Sequence, residues 1–110
     1  MAAEQPFDID VVELERRRNA GEAPALLDVR ESWETDICLI SGSMKIPMNE
    51  VPERLEELPR DRPLVVICHH GVRSLHMTAW LRRNGFDNAI NLRGGIDAWA
   101  REIDRGMSLY

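Results

Sequence analysis

A cysteine, a glycine, an arginine and a serine fall within one short stretch, Cys68-His69-His70-Gly71-Val72-Arg73-Ser74. Cysteine is a nucleophile as its thiolate, and a thiolate is favoured where backbone N–H groups and a helix N-terminus face it. Cys68 and Arg73 enclose His69, His70, Gly71 and Val72. A loop this short, closed by a helix, curls so that several N–H groups point at one centre and favour an anion there. Gly71 permits a turn conformation that most residues resist. The anion is the thiolate itself, a persulfide on it, or a bound oxyanion. Arg73 offers a planar fork for an oxyanion, or a support for the loop backbone.

The elements around this loop must place it. Leu64-Val65-Val66-Ile67 follows Arg62-Pro63 and is apolar without alternation. That pattern predicts a buried strand in a parallel sheet covered on both faces. The cysteine then stands at the carboxyl end of a strand, where open α/β sheets bind ligands. A helix is expected from about Ser74 to Arg83, with Ala79 and Trp80 toward the core and Val72 and Met77 nearby. Asn84-Gly85-Phe86 should stop it.

Strands and helices alternate along the rest of the chain. Phe7-Asp8-Ile9 reads as a short edge strand. Asp10 reads as the cap of a first helix, with Glu13 in a capping-box arrangement and Gly21 at its end. Ala25 to Val29 is a strand, and Ser32 is expected to cap a short helix through Ile37. Ser43 to Ile46 suggests a short strand. Asn49 is expected to cap a helix with Val51, Leu55 and Leu58 on one face, ended by Pro59. Ala89 to Leu92 is a last strand and Ile96 to about Ile103 a last helix. The alternation predicts an α/β domain, a parallel sheet with helices on both faces.

Composition sets outer bounds. The 110 residues suffice for one domain, 1–110, with a core over 9–103 and 105–110 as a loose tail. A formal net charge of −5 argues against nucleic-acid or anionic-membrane partners. Met1 to Asp10 lacks the apolar segment of a signal peptide, and a cytoplasmic location is expected. The two cysteines, Cys38 and Cys68, fit no zinc pattern, and no structural disulfide is expected. No metal or cofactor is implied. Cys38 lies in an irregular segment and is expected to have no redox role. Trp33, Trp80 and Trp99 are expected to be packing residues.

The loop Cys68 to Ser74 resembles the active-site loop of the rhodanese (sulfurtransferase) family. Leu26-Leu27-Asp28-Val29-Arg30-Glu31 with Glu34 resembles that family's Asp-Val-Arg segment. Ile40-Ser41-Gly42-Ser43-Met44-Lys45-Ile46-Pro47 resembles its Ile-x-Gly-Ala-x-x-Ile-Pro segment, with Ser43 in place of the commoner alanine. Leu92-Arg93-Gly94-Gly95-Ile96-Asp97-Ala98-Trp99 resembles its closing Gly-Gly-x-x-x-Trp. The four stretches occur in the family's order. The resemblance implies a five-stranded, mainly parallel sheet flanked by helices. It implies that Cys68 takes the outer sulfur of a donor such as thiosulfate as a persulfide and passes it to cyanide or a thiol. It implies that His69, His70, Gly71, Val72, Arg73 and Ser74 bind substrate, with Arg73 orienting the donor. Asp28 and Arg30 would be supports, and Gly94, Gly95 and Trp99 structural.

Many thiosulfate-using members carry a further basic residue in the loop, where this chain has two histidines. A protein persulfide is therefore an alternative donor, which would make the chain a relay between proteins. A cysteine-loop phosphatase is disfavoured, because those loops hold five residues before the arginine and this one holds four. A non-catalytic interaction module is disfavoured by the presence of Cys68.

Overall fold

The computed structural model describes residues 5–110, so Met1 to Glu4 of the segment read for a signal peptide lie outside the described residues. Five strands form one sheet: β1 (Asp8–Ile9), β2 (Ala25–Asp28), β3 (Met44–Lys45), β4 (Leu64–Ile67) and β5 (Ala89–Leu92). Their order is β1-β5-β4-β2-β3, and every pairing is parallel. The central strand β4 pairs Leu64 to Ile67 with Ala25 to Asp28 on one side. On the other side Leu64, Val65 and Val66 pair with Ala89, Ile90 and Asn91. All four β4 side chains are fully buried, as an unalternating apolar strand requires.

Four α-helices cover the sheet: α1 (Val11–Asn19), α2 (Ser32–Ile37), α3 (Val72–Arg83) and α4 (Gly95–Glu102). On one face Leu64, Val66 and Cys68 pack with Leu27, Met77, Leu81 and Phe86. On the other, Val65 and Ile67 pack with Leu14 of α1 and Ile96 and Trp99 of α4. Successive β4 residues thus serve opposite cores. Asp10 caps α1, its Oδ1 accepting from Glu13 N at 2.8 Å. Such a cap stabilises a helix by about 1 kcal/mol.

Several sequence expectations shift. Glu31, not Ser32, is the residue that caps α2, because Glu34 must stand three residues on for its carboxylate to accept from Glu31 N (2.9 Å). The helix expected after Asn49 is two 3₁₀ turns, Met48–Glu53 and Leu55–Glu57, entered from Pro47. Pro52 inside this stretch has no N–H to give an α-helical bond. Val51 and Leu58 are nevertheless buried and Leu55 packs against the same core. α3 begins two residues early, at Val72, which is 64% exposed rather than near the core. Its buried face is Ser74, Met77, Thr78 and Leu81, with Ala79 and Trp80 half-buried. The tail is not loose at its end: Tyr110 docks beside α2 and the Cys68 loop. No helix among the described residues is long and apolar enough to cross a membrane.

Candidate active site

Cys68 ends β4 beneath the first turn of α3 and is 1% exposed. Gly71 N donates to Sγ at 3.1 Å, and Ser74 Oγ lies 3.2 Å from Sγ. These are the sulfur's hydrogen-bond partners among the described residues. Of the N–H groups expected from His69 to Ser74, that of Gly71 meets Sγ itself.

The backbone that makes this possible depends on two glycines. Gly71 has φ +97°, and a Cβ there would come within 3.0 Å of Gly94 N and 3.2 Å of Leu92 O. Gly95 has φ +61°, and a Cβ there would sit 2.5 Å from His69 O and 2.6 Å from Cys68 O. With no Cβ in the way, the start of α4 reaches the loop. Ile96 N donates to Cys68 O at 2.9 Å and Asp97 N to His69 O at 3.0 Å. The Gly-Gly stretch read as structural is the floor of the Cys68 loop.

Arg73 does not stand free for a substrate anion. Its Nη1 and Nη2 donate to Glu34 Oε2 and Oε1 at 2.8 and 2.7 Å. The Glu34 side chain is 4% exposed and that of Arg73 38%. Glu34 is held at a pKa of about 2, chiefly by Arg73, against its own burial and with help from Glu31 N–H and the Tyr110 hydroxyl. The fork–fork pair ties α3 to α2 and leaves the outer edge of the guanidinium toward solvent.

Asp28 and Arg30 form a fully buried ion pair. Arg30 Nε donates to Asp28 Oδ1 at 2.9 Å and Nη2 to Oδ2 at 2.8 Å. The remaining Arg30 donors go to Glu34 O, Cys38 O and Tyr110 Oη. Arg30 thereby meets the backbone carbonyl of Glu34 and the hydroxyl of Tyr110. A buried charge needs this many partners, since leaving it unpaired costs several kcal/mol, on the order of 3–5.

The two loop histidines differ. His69 is stacked between His70 (centroids 3.9 Å apart) and Tyr110 (3.8 Å, rings 8° from parallel). Its Nε2 is buried without a hydrogen-bond partner among the described residues. Burial, and then the neighbouring His70, lower its pKa and so favour the neutral ring. The His70 side chain is 60% exposed, with Nδ1 4.0 Å from Asp97 Oδ2. Ligand atoms of His69, His70 and Asp97 lie within 4.8 Å of one another. The two imidazole rings are tilted 30° to each other.

Sequence reasoning missed Asn91, Tyr110 and Trp33. Asn91 is a fully buried polar residue on an apolar strand; its Oδ1 accepts from Ser74 Oγ at 2.5 Å. A polar residue at an interior strand position is a signal that was available. Tyr110 Oη donates to Glu34 Oε1 at 2.8 Å and accepts from Arg30 Nη1 at 3.0 Å. Burial and Glu34 push its pKa up to about 12. Trp33 is 61% exposed and sets its edge against Tyr110. It is a rim residue, not a core one.

This geometry agrees with what comparison finds. The family model described as a rhodanese-like domain matches residues 10–102. The chain belongs to the rhodanese-like family. A protein named "Sulfurtransferase" from Allochromatium vinosum is 38% identical over 94 residues, which cover 86% of this chain and 88% of that one. The "Probable adenylyltransferase/sulfurtransferase MoeZ" of Mycobacterium tuberculosis is 40% identical over 94 residues. There the rhodanese-like chain covers only 24% of the longer protein's length. A rhodanese-related protein from Thermoplasma volcanium superposes with a TM-score of 0.81 at 34% identity, covering 89% of this chain and 94% of that one. Such kinship supports sulfur transfer in general.

Proposed function

We propose that this rhodanese-like chain is a sulfurtransferase that carries sulfane sulfur on Cys68. The observation that carries the reading is the Cys68 sulfur itself, at a parallel strand's carboxyl end. It accepts from Gly71 N–H and touches Ser74 Oγ at a helix N-terminus. That arrangement favours a sulfur anion, either thiolate or persulfide.

With thiosulfate as donor, the thiolate attacks the outer sulfur. The S–S bond of thiosulfate breaks, its electron pair leaves with sulfite, and Cys68 holds a persulfide. Cyanide or a thiol then attacks the outer persulfide sulfur, and the electron pair of that bond restores the thiolate. No redox partner, metal or cofactor enters this cycle. Arg73, already joined to Glu34, would bind a donor through its solvent-facing edge, and Gly71 and Ser74 would hold the persulfide. His69 walls the site as a neutral ring, and Asp28 and Arg30 support it from behind.

A second reading, a persulfide relay between proteins, has its own observation. Glu34 offsets the Arg73 charge, and the neighbouring Trp33, Val72 and Leu75 are exposed apolar side chains. That rim suits a protein carrying a persulfide better than a small dianion. Neither nucleic acid nor membrane is part of the proposal. The two free thiols suit the cytoplasm.

Thiocyanate formation from thiosulfate and cyanide tests the reaction. Cys68→Ser is expected to lower the rate by at least about a thousandfold, as for removal of a covalent nucleophile, with circular dichroism unchanged. A folded Cys68→Ser protein working near the wild-type rate would overturn the proposal. Thiosulfate turnover absent from the wild type, with loading by a protein persulfide present, would select the relay.

A further inference from the structure

One buried side chain that no part of the proposed cycle uses holds the Ser74 hydroxyl that meets the Cys68 sulfur, and also reaches the carbonyl of Gly71. Asn91 lies on β5 opposite Val66 and is 1% exposed. Ala89, two residues before it, packs on the α3 side, while Ile90 and Leu92 pack on the other. Asn91 therefore projects toward α3. Its Oδ1 accepts from Ser74 Oγ at 2.5 Å, and its Nδ2 donates to Gly71 O at 3.4 Å. Ser74 and Gly71 are the sulfur's two partners.

Ser74 has one hydroxyl proton and two neighbours that want it. With that proton on Asn91 Oδ1, Ser74 Oγ can only accept from Cys68, which must then be a thiol S–H. Ionisation releases the thiol proton to solvent. The hydroxyl then turns its proton to the sulfur, and Oδ1 loses its donor. Oδ1 thus competes with the sulfur for one proton, and the Nδ2 bond to Gly71 O keeps the amide turned this way, because a flipped amide would set Oδ1 against that carbonyl. An apolar residue would leave the proton to the sulfur, and a carboxylate would hold it more firmly.

We propose that Asn91 is a positioning residue whose amide sets the direction of the Ser74 hydroxyl, and through it the anionic state of the Cys68 sulfur. The inference deepens the proposed sulfur transfer, but its thiol arm needs no sulfur donor. The charged and titratable groups around the Cys68 loop are Arg73 of α3, Glu34 of α2 joined to it, His69 and His70 of the loop, and Asp97 of α4. The test leaves them all in place.

Thiolate absorbance in the ultraviolet is followed against pH in a Cys38→Ser background. Tyr110 is the only tyrosine, and its pKa near 12 keeps phenolate absorbance apart from the thiolate signal. Asn91→Leu frees the Ser74 proton for the sulfur and is expected to move thiolate formation to lower pH, whereas Ser74→Ala removes that donor and is expected to move it to higher pH, each by about one pH unit. The double variant should match Ser74→Ala alone, since Asn91 acts through Ser74. Asn91→Asp keeps the shape and should move thiolate formation to higher pH, opposite to Asn91→Leu, and it serves if Asn91→Leu does not fold. A wild-type profile in folded Asn91→Asp or Asn91→Leu, or additive shifts in the double variant, would overturn the inference. Should the coupled shifts appear while the wild type takes sulfur from no donor, only the transfer reading falls.

Discussion

The chain's two cysteines are both buried and both free, yet they sit at opposite electrical ends of helices. Cys68 precedes α3, whose N-terminal amides lie above it, and its sulfur faces an N–H and a hydroxyl. Cys38 is the C-terminal cap of α2, its own N–H donating to Glu34 O at 3.4 Å. A helix dipole favours an anion at the first place and disfavours one at the second. Among the described residues the Cys38 sulfur has a single polar contact, Arg30 Nη1 at 3.7 Å, while Arg30 Nη2 makes a shorter bond to the Cys38 carbonyl, 2.7 Å. Equal burial thus leaves the two thiols in unlike surroundings, one before a helix N-terminus and one at a helix C-terminus beside an arginine already paired with Asp28.

That contrast can be broken from the Cys68 side. Gly95→Ala is expected to have the largest effect on stability, at least about 2 kcal/mol, because its Cβ would meet two backbone oxygens. Chemical denaturation measures it. Unchanged stability would mean that the approach of α4 does not hold the loop.

A smaller effect is expected where the two regions are joined. Glu34 receives Arg73 from the Cys68 loop, and its carbonyl receives Arg30, the neighbour of Cys38. The folded pKa of Glu34, about 2, lies below its ordinary 4.5. Its contribution to stability is therefore complete above pH 4.5 and lost as pH falls through about 2. Arg73→Ala removes the main cause, so its stability should fall less steeply across that window than the wild type's. Parallel pH curves from urea titrations would contradict this. Cys38→Ser should matter least, leaving thiocyanate formation within about twofold, as a change outside the reacting atoms does. A tenfold loss would give Cys38 a role that its place at a helix C-terminus denies.

The uneven legibility of the molecule in its sequence has the same physical root. β4 and its cysteine were plain, because a run of buried apolar residues ending in a reactive type is a local pattern. Gly71 and Gly95 were visible as turn residues, but their tightest contacts are with each other's loops, which no local window contains. Asn91 meets Ser74 and Gly71 only through the β4–β5 register. Tyr110 was read as tail because nothing nearby in sequence needs it; its partners Arg30, Glu34 and His69 all lie far back in the chain. The segment after Asn49 had the apolar spacing of an α-helix, and Pro52 made it 3₁₀ without disturbing which side chains are buried.

The most direct test places the sulfur. Reduced protein is incubated with thiosulfate, freed of excess reagent and measured as an intact mass, with peptides then mapped and Cys68→Ser and Cys38→Ser run alongside. The account predicts a gain of one sulfur atom on Cys68, retained in Cys38→Ser and absent in Cys68→Ser. Sulfur on Cys38, or equal loading of both cysteines, would contradict it.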